Sequence, residues 1–177
     1  MTSHIFIHRL HKFSEHLDKL NNKIGQAIAW LVLLLVILVS YDVTMRYFFQ
    51  SGSVALQELE WHLFSLIFLL GAAYTFKHDD HVRLDLFYQS RFMSEKRRAL
   101  VNLLGGILFL IPFCLLITYT SWPFVTQSYL HMEGSPDPGG LAYRWILKAS
   151  IPIGFILLLL QGVADIIKNF CIIMDKR

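Results

Sequence analysis

The side chains that could do chemistry in this chain are few, and most stand at the edges of apolar sequence. Asp42 and Arg46 are four residues apart, so on a helix they share a face and can pair. Two roles fit such a pair: an interfacial anchor that sets the depth of a helix, or a contact to polar groups of a partner. Glu58 and Glu60 follow. At a spacing of two they point to different helix faces, which makes them a poor general acid/base couple. One of them can face Arg46 or Arg144 while the other is solvated. Asp165 stands in an apolar run with Lys168 three residues on to satisfy it. A proton relay needs several such groups along one path, and the spacing supplies none.

Metal and redox chemistry fare no better. His62 and His78 bracket an apolar run, but haem held between helices needs an axial ligand from each side, and the other apolar runs contain no histidine. His78 and His81 flank Asp79-Asp80; a closed metal site needs four ordered ligands, so the cluster reads as a solvated loop with at most weak metal affinity. Cys114 and Cys171 form no CxxC pair and read as buried thiols. No phosphate-binding glycine loop, Ser-His-Asp setting or metalloprotease helix occurs. The sequence therefore assigns no catalytic residue, no cofactor and no metal, and the chain is not expected to be an enzyme.

The elements that hold these residues are set by hydropathy. Of 177 residues, 55% are hydrophobic and only 16% charged, with a mean hydropathy of +0.49. Soluble domains carry roughly 25% charged residues, so lipid is the natural solvent here. A net charge of +3, spread over several loops, excludes a nucleic-acid partner. Four apolar runs, at about 25–48, 57–76, 99–121 and 145–167, approach the ~20 residues that a helical span requires. The second is short, and the preceding Val54–Glu60 extends it by two turns. Helix is the expected state of each, because a lone strand in lipid leaves its backbone unpaired. The first run is no cleaved signal: it starts deep in the chain and lacks a small-residue cleavage site. Ser94 is the expected N-cap of the third span, 135–140 a Pro/Gly loop before the fourth, and Pro112 and Pro152 are places where a helix starts or kinks.

Phe6, Leu10, Phe13, Leu17, Leu20 and Ile24 recur at spacings of three and four, with basic and polar residues between. This predicts an amphipathic interfacial helix over 4–23; an extension of the first span packed on a partner is the other reading. Thirteen of the 16 Lys and Arg residues fall in the N-terminal segment, the loop between spans two and three, and the C-terminal end. By the positive-inside bias both termini are cytoplasmic. Trp61, Trp122 and Trp145 then lie near the outer boundary and Trp30 near the inner one, which agrees with the interfacial preference of Trp. The expected fold is all-α, an integral membrane protein with four transmembrane helices and an N-terminal interfacial helix.

Met45-Arg46-Tyr47-Phe48-Phe49, then Glu58/Glu60 leading into span two, then Gly71-Ala72-Ala73-Tyr74, then His81-Val82-Arg83-Leu84-Asp85 resembles the small membrane subunit of tripartite ATP-independent periplasmic (TRAP) transporters. The stretch Asp137–Trp145, followed by Lys148, also looks like a branch of that family. The order of these elements and the four-span plan match along most of the chain. The resemblance implies a bacterial inner-membrane location and two partners besides the lipid bilayer: a large many-span membrane subunit and a periplasmic substrate-binding protein. The large subunit would carry the substrate and sodium sites for uptake of an organic acid or similar solute. The small subunit would brace it through an elevator-type cycle. Arg46, Glu58, His81, Arg83 and Asp85 become family-motif residues with structural or subunit-contact roles. Arg144 and the loop around Asp137 could touch the binding protein. A membrane anchor for a haem or quinone redox complex is the alternative, and a self-assembling channel a third; the latter needs a polar stripe through several spans, and the runs carry only scattered Ser and Thr.

Overall fold

A computed structural model describes residues 2–78 and 94–174, which form four long helices and, among the described residues, no strand. They are α1 (Thr2–Phe48), α2 (Val54–His78), α3 (Glu95–Leu130) and α4 (Trp145–Met174). Each is long and apolar enough to cross a membrane. The apolar content of these runs forbids any other state in lipid, where each backbone N–H and C=O must be paired within its own segment.

Helix ends follow local chemistry. At α1, Gln50 takes a left-handed φ of 49°, and Ser51 N–H turns back to Met45 O at 3.2 Å. Ser94 caps α3 as expected: its Oγ accepts from Arg97 N, satisfying one of the orphan donors of the first turn. Pro112 is accommodated by a π-turn over Gly106–Leu110, in which Ile111 N–H donates to Gly106 O. The register change falls where proline cannot donate to the ladder. Pro123 is likewise carried inside the helix, so α3 continues to Leu130, nine residues past the end of its apolar run.

α1 holds the expected surface segment and the first span in one uninterrupted helix. At 1.5 Å per residue it is ~70 Å long, more than twice the ~30 Å hydrocarbon layer. Over the first half of α1 the face turned inward carries Ser14, Leu17 and Asn21, all buried, while Phe13 and Leu20 of the apolar stripe stay exposed. The packed face thus shares Leu17 with the stripe and is otherwise polar here.

α4 is the hub. It packs against each of the other three helices and is the most buried of the four, α1 the least. Close approach explains why: a Cβ at Gly154 would lie 2.6 Å from the backbone oxygen of Leu69 on α2, so only glycine lets these two helices touch at that level. The outward faces of α1 and α3 remain apolar and uncovered, with Trp30, Ile37, Phe109 and Tyr119 among their exposed residues.

Candidate functional site

Polar chemistry gathers at the two ends of the bundle. At the loop end, which holds the connections 49–53 and 131–144, Glu58 sits in the second turn of α2 and is buried. Its Oε2 accepts the backbone N–H of Leu141 at 2.6 Å, and its Oε1 accepts the hydroxyl of Ser135. The direct partners of Glu58 are therefore neutral donors from the α3–α4 connection. Arg144 acts on it only at a distance. The connection is folded to deliver those donors. Ser135 N–H donates to Leu141 O at 2.8 Å and Gly140 N–H to Asp137 O at 3.0 Å, while Ser135 Oγ also accepts from Asp137 N at 3.1 Å. Gly139 has a φ of 82°, and a Cβ on Gly140 would meet Ser135 Oγ at 2.3 Å and Glu58 Oε2 at 2.8 Å. The Pro/Gly loop read from the sequence is thus a cap clasped to the first turns of α2.

A second contact closes the same loop. Glu133 accepts from Lys148 Nζ on α4, and Arg144 N–H donates to Glu133 O at 2.9 Å. The Lys148 hydrogen bond, helped by the charges of Lys148 and Arg144, holds the Glu133 carboxyl below the usual carboxylate range. The Arg144 guanidinium lies 5.7 Å from the ring centroid of Trp61. Asp137 is exposed at the tip.

Also toward this end, Asp42 and Arg46 pair as their spacing predicts, Arg46 Nη2 donating to Asp42 Oδ2. Their surroundings differ sharply. The Asp42 side chain is 1% exposed and that of Arg46 47%, so the acid is an internal post and the guanidinium is the part that can meet something else. Asp42 Oδ1 and Glu60 Oε1 are buried without a hydrogen-bond partner.

The opposite end, where α2 and α4 finish, carries a network that sequence reasoning missed. Asn21 Nδ2 donates to Gln161 Oε1 at 2.6 Å, Gln161 Nε2 to Asp18 Oδ1 at 3.0 Å, and Lys168 Nζ to Asp18 Oδ2 at 2.6 Å. Lys77 at the end of α2 reaches Asp18 O at 3.3 Å and Asn22 Oδ1. Three helices are joined in one polar clasp. Lys168, expected to serve Asp165, is drawn to Asp18 instead; Asp165 Oδ2 takes Asn169 Nδ2 at 2.9 Å. One signal could have pointed here: Gln161 directly follows a run of four leucines, and an amide inside an apolar span needs a partner.

His62 and His78 turn their Nδ1 atoms to backbone oxygens one turn back, Glu58 O and Tyr74 O. His81, Arg83 and Asp85 lie outside the described residues. No described group of three His, Cys, Asp or Glu side chains is placed to hold a metal ion.

Over residues 35–172 the sequence matches the family described as the DctQ component of tripartite ATP-independent periplasmic transporters. The chain belongs to this family. No curated protein sequence matches it. The family is one of transporter components, not enzymes, and the four apolar helices agree with a multi-pass small permease subunit. All residues of the loop-end clasp fall inside the matched region. The other clasp joins matched α4 to Asp18 and Asn21, which precede it.

Proposed function

We propose that this chain is the small subunit that braces the large membrane subunit of a TRAP transporter during sodium-coupled, binding-protein-dependent uptake of an organic acid or similar solute. The family match over residues 35–172 carries this reading. The architecture supports it: a mobile transport domain must move against something that resists tilting, and here a polar clasp joins α1, α2 and α4 at one end of the bundle and another ties the α3–α4 connection to α2 and α4 at the other. The same fold leaves wide apolar faces on α1 and α3 for lipid and a membrane partner. The chain acts without chemistry of its own, in the inner membrane, with both termini cytoplasmic as the Lys and Arg distribution directs. Half-exposed Arg46, aimed by buried Asp42, is a contact to the large subunit. His81, Arg83 and Asp85 serve structural or contact roles in the loop between α2 and α3. The cap around exposed Asp137 meets the binding protein.

The test is affinity purification of the tagged chain from its native membranes in mild detergent, with mass spectrometry and an absorption scan of the eluate. A large many-span membrane protein without a haem band is expected, and Arg46→Ala should lower its recovery at least several-fold while leaving membrane insertion unchanged. A haem band with redox subunits would replace this reading with that of a redox anchor. Recovery of the chain alone would remove the brace.

A further inference from the structure

A cleft of about 240 Å3 opens at the loop end, lined by α2, α3 and α4. Two cations stand at its rim, and they are not equivalent. Lys148 is paired with Glu133 and rests 4.0 Å from the ring centroid of Phe124. Arg144 is half-buried; its guanidinium makes no hydrogen bond or ion pair among the described residues, lies near the face of Trp61, and acts only at a distance on the Glu58 and Glu133 carboxylates. A guanidinium taken partly out of water calls for an anion, because an aromatic face offsets only part of its lost hydration.

The walls say which anion. Along α2 the cleft is lined by Trp61, Ser65 and Leu69, spaced by four, so they descend one helix face over ~12 Å. On the other side it passes from Arg144, just before α4, along that helix through Lys148 to Ile151, with Leu147 beside them. Charge and hydroxyl sit at the mouth, and apolar side chains continue toward the middle of the spans. A soluble anion would use only the rim. This gradient, running along the helices, matches a molecule that is anionic at one end and hydrocarbon at the other.

The geometry points to a phospholipid site: the phosphate of a net-anionic phospholipid lies on Arg144 and Lys148, and its acyl chain runs down past Ser65 to Leu69 and Ile151. The volume is below the ~300–1,000 Å3 of a site for a drug-sized ligand and suits a headgroup phosphate with the first part of a chain. The site needs only that the chain be embedded in lipid, so it stands or falls apart from the transporter reading. It gives Arg144 a task inside the membrane boundary rather than toward a soluble partner.

The full-length chain in mild detergent, titrated with dioleoyl phosphatidylglycerol or dioleoyl phosphatidylcholine and read by native mass spectrometry, tests this. The wild type should retain phosphatidylglycerol in preference to phosphatidylcholine. Arg144→Gln should weaken phosphatidylglycerol binding about tenfold, the scale of one hydrogen bond to a charged group. Ser65→Phe, which fills the cleft and leaves both cations in place, should weaken it to a similar degree, and Asp137→Asn, at the exposed loop tip, should not. Inorganic phosphate at millimolar concentration should not displace the lipid; displacement would mean a soluble-anion site and overturn the proposal. Equal retention of phosphatidylglycerol by the wild type and Ser65→Phe would overturn it whether or not Arg144→Gln folds. So would unchanged lipid retention in Arg144→Gln with loss of a co-purifying membrane protein, which would assign the arginine to a protein carboxylate.

Discussion

At the loop end, one acidic side chain, Glu58, gathers a hydroxyl and a backbone N–H from a single connection. At the opposite end, Asp18, Asn21, Gln161 and Lys168 link side chain to side chain across helices more than 100 residues apart. The first arrangement shapes a loop against a helix that is already formed. The second fixes how α1 and α4 cross. A loop cap of this kind can be rebuilt with a different surface while the bundle stays the same, which suits an end that meets a changeable soluble partner. A helix-crossing clasp sets the frame itself. The family match mirrors this only in part: it spans the loop-end clasp whole, and includes just the α2 and α4 side of the other.

The sharpest way to break the comparison is at Glu58. Glu58→Ala leaves the Leu141 N–H and the Ser135 hydroxyl without their acceptor, in a loop that Gly139 and Gly140 have already shaped around it. Hydrogen bonds to a charged group are the stronger kind. We expect thermal unfolding of the purified chain in detergent to fall by ~6 °C, with Glu58→Gln, which keeps an acceptor oxygen, losing less than half as much. The loss should be confined to the loop: protease cleavage within 133–144 should rise while the helical content of the bundle is retained. If helix content fell with it, the cap would be part of the frame and the contrast drawn above would be wrong.

The clasp at the other end should behave in the opposite sense. Gln161→Leu strands Asn21 Nδ2 in a buried place and takes one donor from Asp18. The cost of an unpaired buried amide is ~1–2 kcal/mol, or ~4 °C in a chain of this size. Asn21→Leu combined with Gln161→Leu should recover part of that loss, since replacing both partners by apolar groups is close to neutral. A double-mutant cycle should therefore give a coupling of ~1 kcal/mol between residues 21 and 161. Strict additivity would mean that the two amides do not act on each other.

Much of the frame was legible in the sequence because hydropathy and helical spacing are local. Four spans, the Ser94 cap and the Asp42–Arg46 pair all follow from residues within one or two turns of each other. What escaped was set by tertiary partners. Glu58 was recognisable as an acid at a helix start, but its partners lie 77 and 83 residues on, and one is a backbone N–H that no residue type announces. Lys168 had a plausible acid three residues away and chose one from another helix, where Gln161 holds the same carboxylate in place. The stripe of Phe13, Leu17 and Leu20 did not announce what packs within the chain: Leu17 is buried beside Ser14 and Asn21 while Phe13 and Leu20 stay exposed, because hydrogen-bonded amides can hold helices together where lipid or a partner will cover the apolar side. Arg144 was legible as an outer-loop cation, but not as one backed by Trp61.

The smallest effect expected is a pH dependence carried by the second contact of the cap. Glu133 has its carboxyl held below the ordinary range, above all by the hydrogen bond from Lys148, with nearby positive charge adding to it. A carboxyl whose folded-state pKa is depressed contributes stability that is fully present above its unfolded value, ~4.3, and that is lost as pH falls through the folded value. The loop-end cap should therefore be insensitive to pH from neutral down to about pH 5 and loosen below that. Because the pair is partly open to solvent, the effect on unfolding should be slight, and high salt should reduce it further. Glu133→Gln should remove the acid-side slope in the protease sensitivity of 133–144 while leaving the neutral-pH value nearly unchanged. A slope that survives in Glu133→Gln would move the titration to Glu58, and the loop would then depend on a single acid for both its shape and its response to pH.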